Sequence, residues 1–318
     1  MTMRCALPLL LLSLTAAGCT ATSHSAVPSK LGRASTTEAM LESLKSPGPL
    51  KTETVASADW KVDRAGLINL EHERARAAGL TKGDEPIQLY FHAIRHPRHG
   101  LFIIDTGVER ALRDAPERAL LSGLLAKVMK PETMTIRQPL GEFLEREAAG
   151  GERLAGVFLT HLHFDHITGL PDVPREVPVY TGPGETSARS LQHLVIRGTT
   201  NRAFRGMGPV QEWPYAEVPP TSGTSDAFDG VVDVFGDGSL WAVWVPGHSP
   251  GSTAYIARTA EGPVLFSGDA CHTRWGWDHA VEPGTFSDDG PRSAENLRRL
   301  KALVASHPGM QVRLGHQP

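Results

Sequence analysis

Cysteine is nearly missing from this chain. Three occur in 318 residues, and two of them, Cys5 and Cys19, fall within the first 19, so Cys271 stands alone in the remainder. A lone thiol forms no internal disulfide, so even in an oxidising compartment stability must come from a packed core. Neither sign of charge is in excess: the formal net charge is −3, with 21% of residues charged. That removes the basic footprint of a nucleic-acid binder and the charge block of a disordered tail. No internal repeat occurs at solenoid periods. The length is ample for a buried core in one large domain or two ordinary ones.

The first residues, "MTMRCALPLLLLSLTAAGC", differ from the rest. One positive charge, Arg4, precedes an apolar run from Ala6 to Ala17, too short to span a bilayer, and then small residues. This pattern predicts a signal peptide over residues 1–18. "LTAAGC" resembles the lipobox of bacterial lipoproteins, with Cys19 as the lipidated first residue of the mature chain. The resemblance implies a diacylglycerol anchor, which holds where a single acyl chain does not. Thr20 in place of Asp favours the outer membrane, facing the periplasm or the surface. Residues 19–50 are rich in Ser, Thr, Ala and Pro and read as a flexible tether, with a short helix around Thr37–Leu44. The folded domain is then expected over 51–318.

That domain alternates strand-like and helix-like segments. "IQLYFHAI" and "GLFIID" flank a Pro/Gly turn and predict a hairpin. Residues 109–129 have helical composition, interrupted at Pro116, and 138–149 predict another helix. "LAGVFLT" and "VPVYT" are short buried strands, with a helix expected over 185–196. "GVVDVFGDGSLWAVWVPG" predicts a second hairpin turning at Gly236–Ser239. "STAYIAR" and "PVLFSGD" continue a sheet, "SAENLRRLKALVAS" is a helix capped by Ser293, and "MQVRLGH" is a last strand. Two packed sheets with helices outside fit this order, an α+β fold.

Residues 158–170, "FLTHLHFDHITGL", place His161, His163, Asp165 and His166 within six positions. Packing alone would ask for more Val or Leu at a strand end. In an extended stretch, residues two apart point the same way, so His161 and His163 can share one ion, while Asp165 and His166 turn toward a second. Imidazole with carboxylate suits zinc and other borderline divalent metals. His92, His96, His99, His193 and His307 stand alone and read as surface or satisfied core residues.

"HLHFDH" resembles the His-x-His-x-Asp-His signature of metallo-β-lactamase-fold hydrolases. Further segments match that family in order: "IIDTG" with Asp105, "VPGHSPGS" with His248, "FSGDA" with Asp269 and "RLGHQP" with His316. The resemblance runs from about Leu89 to the C-terminus. It implies an αββα sandwich with a dinuclear site at the sheet edge. His161, His163 and His248 would hold one metal, Asp165, His166 and His316 the other, and Asp269 would bridge them. Asp105 and Thr106 would act behind the ligands. Two divalent ions are implied, zinc first, with iron, manganese or cobalt accepted by the same set.

Such a pair acidifies a water and polarises a substrate oxygen, so metal-assisted hydrolysis of a small molecule is expected and no serine or cysteine nucleophile is needed. Lactamases of this fold generally lack the bridging Asp, so Asp269 argues against antibiotic hydrolysis. The motifs look most like the N-acyl homoserine lactonase branch, which implies opening of a lactone or carboxylic ester. Phosphodiester or thioester cleavage is the alternative, and a non-catalytic metal-binding envelope lipoprotein the reading from another class. A di-iron redox branch of the fold has Glu where His163 stands and uses a flavin domain that this chain lacks.

Two departures from the lactonase pattern stand out. His272 occupies the usual Tyr position three residues after Asp269, and Gln317 follows the last His in place of Asp. His272 is therefore a candidate for the hydrogen bond to substrate or leaving group, with Asp165 beside the leaving oxygen. Arg274, Trp275 and Trp277, and Trp213 and Tyr215, are candidates for the substrate wall.

Overall fold

The computed structural model describes residues 20–189, 193–215 and 227–318. Its strands are β1 (Ala26–Pro28), β2 (Arg33–Ser35), β3 (Lys51–Asp63), β4 (Asp84–His96), β5 (Gly100–Ile104), β6 (Thr135–Ile136), β7 (Leu154–Phe158), β8 (Val179–Thr181), β9 (Val210–Glu212), β10 (Val231–Asp233), β11 (Leu240–Trp244), β12 (Thr253–Thr259), β13 (Gly262–Phe266) and β14 (Gln311–Arg313). The helices are α1 (Thr37–Leu44), α2 (Arg64–Leu67), α3 (Glu73–Ala77), α4 (Ala111–Asp114), α5 (Gly123–Met129), α6 (Leu140–Ala149), α7 (Phe164–Ile167), α8 (His193–Ala203), α9 (Arg274–His279) and α10 (Gly290–Ser306).

An eight-stranded sheet runs β1-β9-β8-β7-β5-β4-β3-β6 and a six-stranded sheet β14-β13-β12-β11-β10-β2. Alternation along each strand decides which core it feeds. Phe102 and Ile104 of β5 enter the space between the sheets, where they meet Tyr255 and Ala257 of β12 and Val264 and Phe266 of β13. Leu101 and Ile103 face the other way, onto Leu140 and Phe143 of α6 and Ala203 of α8. On the six-stranded sheet, Val243, Ile256 and Leu265 pack outward against Met40 of α1 and Leu297, Leu300 and Leu303 of α10. The result is the αββα sandwich. Both predicted hairpins form, β4–β5 and β10–β11.

Several expectations are corrected. Residues 20–50 are not a flexible tether but part of both sheets. β1 pairs with β9, β2 pairs with β10, α1 buries Met40 and Leu44, and Leu50 lies between the sheets. Three-residue strands spaced by Ser and Pro show no readable period, so composition hid them. Signal residues 1–18 and Cys19 lie outside the described residues, and among the described residues no helix is long and apolar enough to cross a membrane.

The helix over 109–129 divides into α4 and α5, and the Glu109 carboxylate, buried between them, accepts the Leu120 N–H. The helix expected over 185–196 is not seen at its start, where residues 185–187 form a turn and Arg189 a bridge, and among the described residues α8 runs from His193. α10 starts a turn before Ser293, with Asp289 as N-cap accepting the Arg292 N–H.

Phe158 sits at the centre of the inter-sheet core. Its ring stacks on Phe102 at 4.9 Å and lies 5.8 Å from Tyr255 and 5.5 Å from Trp213. We expect Phe158→Ala to destabilise the chain by roughly 3–5 kcal/mol in urea unfolding, because so crowded a site cannot collapse into the cavity. A loss below about 1 kcal/mol would show that the two sheets do not depend on this contact.

Candidate metal centre

Four strand ends on one edge of the sandwich converge. Beyond β7 the chain stays extended through His161 and His163, then turns into α7, which carries Asp165 and His166. His248 follows β11, Asp269 and His272 follow β13, and His316 follows β14. Two ligand-capable groups result: His161, His163, His248 and Asp269, and Asp165, His166, Asp269 and His316, with donor atoms in each within 4.8 Å of one another. Asp269 belongs to both. Its Oδ2 is 3.3 Å from His166 Nε2, 3.3 Å from His248 Nε2 and 3.7 Å from His161 Nε2, while Oδ1 is 3.4 Å from His316 Nε2. Asp165 Oδ2 lies 3.3 Å from His316 Nε2.

The rings are aimed from behind. Asp105 Oδ2 takes the His166 Nδ1 hydrogen at 2.8 Å, and its Oδ1 accepts the Thr160 N–H at 2.8 Å. This aspartate adopts φ 55°, a left-handed backbone that Asp tolerates better than most side chains. Thr160 Oγ1 pairs with His161 Nδ1 at 3.1 Å, and Ser287 Oγ with His248 Nδ1 at 3.2 Å. His316 Nδ1 donates to the Gln88 carbonyl at 3.0 Å. Each of these rings is thereby left with Nε2 facing the centre, the arrangement that fixes tautomer and orientation in ligating histidines. His163 turns Nδ1 inward, 2.8 Å from His248 Nε2.

Glu185 ties two ligand loops together, which the sequence reading missed. Its Oε2 accepts the Leu162 N–H, between His161 and His163, at 2.9 Å. Its Oε1 accepts the Gly251 N–H at 2.7 Å and the hydroxyl of Ser249, next to His248. The carboxylate is buried, and burial pushes its pKa up against those bonds. "GHSPG" at 247–251 also has the spacing of a serine nucleophile elbow. Here Ser249 Oγ donates to Glu185, which is committed to the Leu162 and Gly251 N–H groups, and pairs with Ser252, and Ser249 is not among the residues that line the cavity.

The donor set fits divalent ions. His166 Nε2 and Asp269 Oδ1 are buried without a hydrogen-bond partner, and paired lone pairs as close as His163 and His248 need a cation or proton between them. Charge tells the same story. Burial opposes protonation of His316 and His166, yet Asp269 and Asp165, joined by Asp105 at His166, hold His316 up to about 10 and His166 well above its ordinary value. His161 and His248 are driven well below it by burial and neighbouring imidazoles. The carboxylates thus call for positive charge, which protons supply when metal does not.

His272 is buried within the centre. Its Nδ1 donates to the Leu67 carbonyl at 3.1 Å, and Nε2 reaches 3.1 Å from Asp269 Oδ2. Gln317 donates to Glu85 Oε1 and the Pro86 carbonyl and accepts from the Arg274 N–H, bracing the chain just past His316.

A cavity of about 300 Å³ lies against the centre. Trp60 and Val62 of β3, Leu67, Ile87, Met129, Phe164, Ile196 and Phe286 line it beside His163, Asp165, His248, Asp269, His272 and His316. The expected wall is corrected. Trp277 packs into the core beside α10, Trp275 stacks on His279, Trp213 lies between the sheets donating to Tyr255, and Tyr215 stacks on Trp244. Arg274 is held by the C-terminus.

Comparison with known proteins agrees with this geometry. The profile of the metallo-beta-lactamase superfamily matches residues 86–316. The chain belongs to that superfamily. It is 28% identical over 240 residues to N-acyl homoserine lactonase AttM of Azorhizobium caulinodans, covering 74% of this chain and 84% of that protein. Among solved structures, an N-acyl homoserine lactone hydrolase with N-hexanoyl-L-homoserine at its catalytic metal centre superposes with TM-score 0.57 at 18% identity, over 86% of this chain and 94% of that one. AidC, a dizinc quorum-quenching lactonase, gives TM-score 0.52 at 11% identity, over 91% and 92%.

Two outcomes test the centre. Zinc titrated into the metal-free chain at pH 8 should release at least about two protons, from His316 and His166, with a further one from the water that the ions acidify, since a ligand must be deprotonated. Calorimetry in buffers of different ionisation enthalpy reads this, and no release would contradict the charge arrangement. Glu185→Gln should weaken the His161/His163/His248 metal roughly 10–100-fold in chelator competition while sparing the other ion. Equal loss at both ions, or none, would remove Glu185 from that role.

Proposed function

We propose that the protein is a dinuclear metal-dependent hydrolase, with zinc first among the metals, that opens a lactone or carboxylic ester whose remaining part is uncharged and apolar. One observation carries the substrate class. Among the described lining residues the cavity offers no Lys or Arg, only apolar side chains and the metal-centre groups. A carrier-bound thioester, or any substrate with charges away from the reacting bond, would bring anionic groups into that wall with no Lys or Arg to meet them, at the full cost of desolvation. A neutral acyl or alkyl group is stabilised there by about 25 cal/mol per Å² buried. The similarity to N-acyl homoserine lactonases supports the same reading.

His161, His163 and His248 would hold one ion, Asp165, His166 and His316 the other, with Asp269 between. The ions supply Lewis acidity at the carbonyl and a water acidified toward neutral pH. The chain's own groups do the rest. The apolar wall excludes bulk water and orients the scissile bond. In the metal-free chain Asp165 is kept ionised against burial by His166 and His316, a role the ions would take over when bound. Asp165 accepts the proton of the attacking water and returns it to the leaving alkoxide as the acyl C–O bond breaks. His272, with its Nδ1–H held by the Leu67 carbonyl, turns the Nε2 lone pair toward the centre and is placed to accept a hydrogen bond from the attacking water. Zinc is favoured by the mixed imidazole and carboxylate donors. The signal sequence and Cys19 support a lipid-anchored place in the cell envelope.

Hydrolysis of an acyl homoserine lactone, an aryl ester, an anionic thioester and an aryl phosphodiester by the zinc-loaded chain would test this. Lactone or ester should lead in kcat/KM, and Asp165→Asn should lower kcat roughly 100-fold or more. A lead by the phosphodiester or thioester would overturn the substrate class and leave the metal centre standing.

A further inference from the structure

The absence of a tether has a consequence for the lipid anchor, on whose proposal the following rests. Residues immediately after Cys19 are fastened to the domain. Thr20 bridges Arg189, the Ala21 N–H donates to the Ala188 carbonyl at 2.8 Å, and Thr22 Oγ1 donates to Asn201 Oδ1 at 2.6 Å. The Ser23 N–H donates to the same Asn201 oxygen at 2.9 Å. His24 Nε2 donates to the Gly208 carbonyl at 2.8 Å, and its ring stacks on Phe204 at 5.2 Å. Ala21 and Thr22 are buried, and β1 then joins the sheet edge beside β9. No slack remains between Thr20 and the fold, and one residue spans at most about 3.6 Å.

We propose that the face formed by residues 184–189, α8 and the turn after it lies directly on the bilayer, with the eight-stranded sheet as the membrane-side layer. Charge on this face matches an anionic lipid surface. From Val173 to Glu212 the sequence carries five arginines against three glutamates; Glu185 is buried and Glu212 is half-buried on the Gly184 N–H, leaving Glu176. Arg189 and Arg205 are exposed beside the pinned segment. α8 also supplies Ile196 to the apolar cavity wall. An apolar ester dissolved in the membrane would therefore meet the enzyme through the helix that rests on it.

The test uses the full chain produced in a bacterium that processes lipoproteins and reconstituted in vesicles of phosphatidylethanolamine and phosphatidylglycerol. The mass of the N-terminal peptide reports whether Cys19 carries diacylglycerol. A fluorophore is then placed at Ser187→Cys, beside the anchor, or at Ala305→Cys, exposed on α10 of the opposite layer. In the processed, lipidated chain labelling is confined to these positions, since Cys5 leaves with the signal peptide, the Cys19 sulfur is blocked by its lipid, and Cys271 is buried with its thiol pushed up to about 12.

A quencher on the lipid headgroups should quench the Ser187 position roughly threefold more than the Ala305 position, and Arg189→Glu with Arg205→Glu should at least halve that contrast. Acylated Cys19 with equal quenching at both positions would overturn the docking alone. An unmodified Cys19 would overturn the anchor and the docking together.

Discussion

Eight donor side chains, six imidazoles and two carboxylates, crowd one edge of the sandwich with nitrogens as close as 2.8 Å. Lone pairs at that separation repel, and buried carboxylates without counter-charge are costly. The surrounding structure exists to hold this unfavourable collection together. Asp105 in a left-handed backbone, Thr160, Ser287 and the Gln88 carbonyl each grip the outer nitrogen of a ring. Glu185 binds the loops of His161 to His163 and of His248 into one body. The sheets supply rigid strand ends, and the aromatic packing around Phe158 fixes the sheets relative to each other.

What was legible in the sequence follows from how local the signal is. The seven expected ligands sit in short motifs, and all converge. The two hairpins and α10 carry plain period-2 or helical patterns. Less legible were features that depend on distant partners. β3 alternates, but its polar residues blur the pattern, so Trp60 and Val62 were not read as cavity wall. The small strands of residues 20–50 gain stability only from edges supplied 180 or more residues later. Glu185 looked like an ordinary helix-starting acid, because nothing local says that its carboxylate meets Leu162 and Gly251. Trp275 and Trp277 followed the bridging aspartate closely in sequence, yet the turn into α9 carries them away from the cavity.

The reaction proposed here asks little of the protein beyond this geometry. Metal ions would supply the electrophile and the acidified water, so the chain contributes aim, dryness and one ionised carboxylate at the leaving oxygen. The cavity discriminates by what it omits. Without a Lys or Arg in its described wall, it has nothing to offset the desolvation of a negative charge carried away from the reacting bond.

Residues 284–289 join two tasks that could have been kept apart. Phe286 lines the cavity, Ser287 next to it holds His248 Nδ1, and the backbone N–H groups of Asp288 and Asp289 donate to the carbonyls of His248 and Gly247. A substitution that reshapes the wall here moves a metal ligand as well. Ile87 has the same kind of link, since Gln88 beside it holds His316 through its carbonyl and its N–H, and Trp60 packs edge-on against Phe164, next to Asp165. Val62, on β3, has neither. Evolution toward a new acyl group should thus run through position 62, while positions 286 and 87 stay conservative because drift there would be paid in metal affinity.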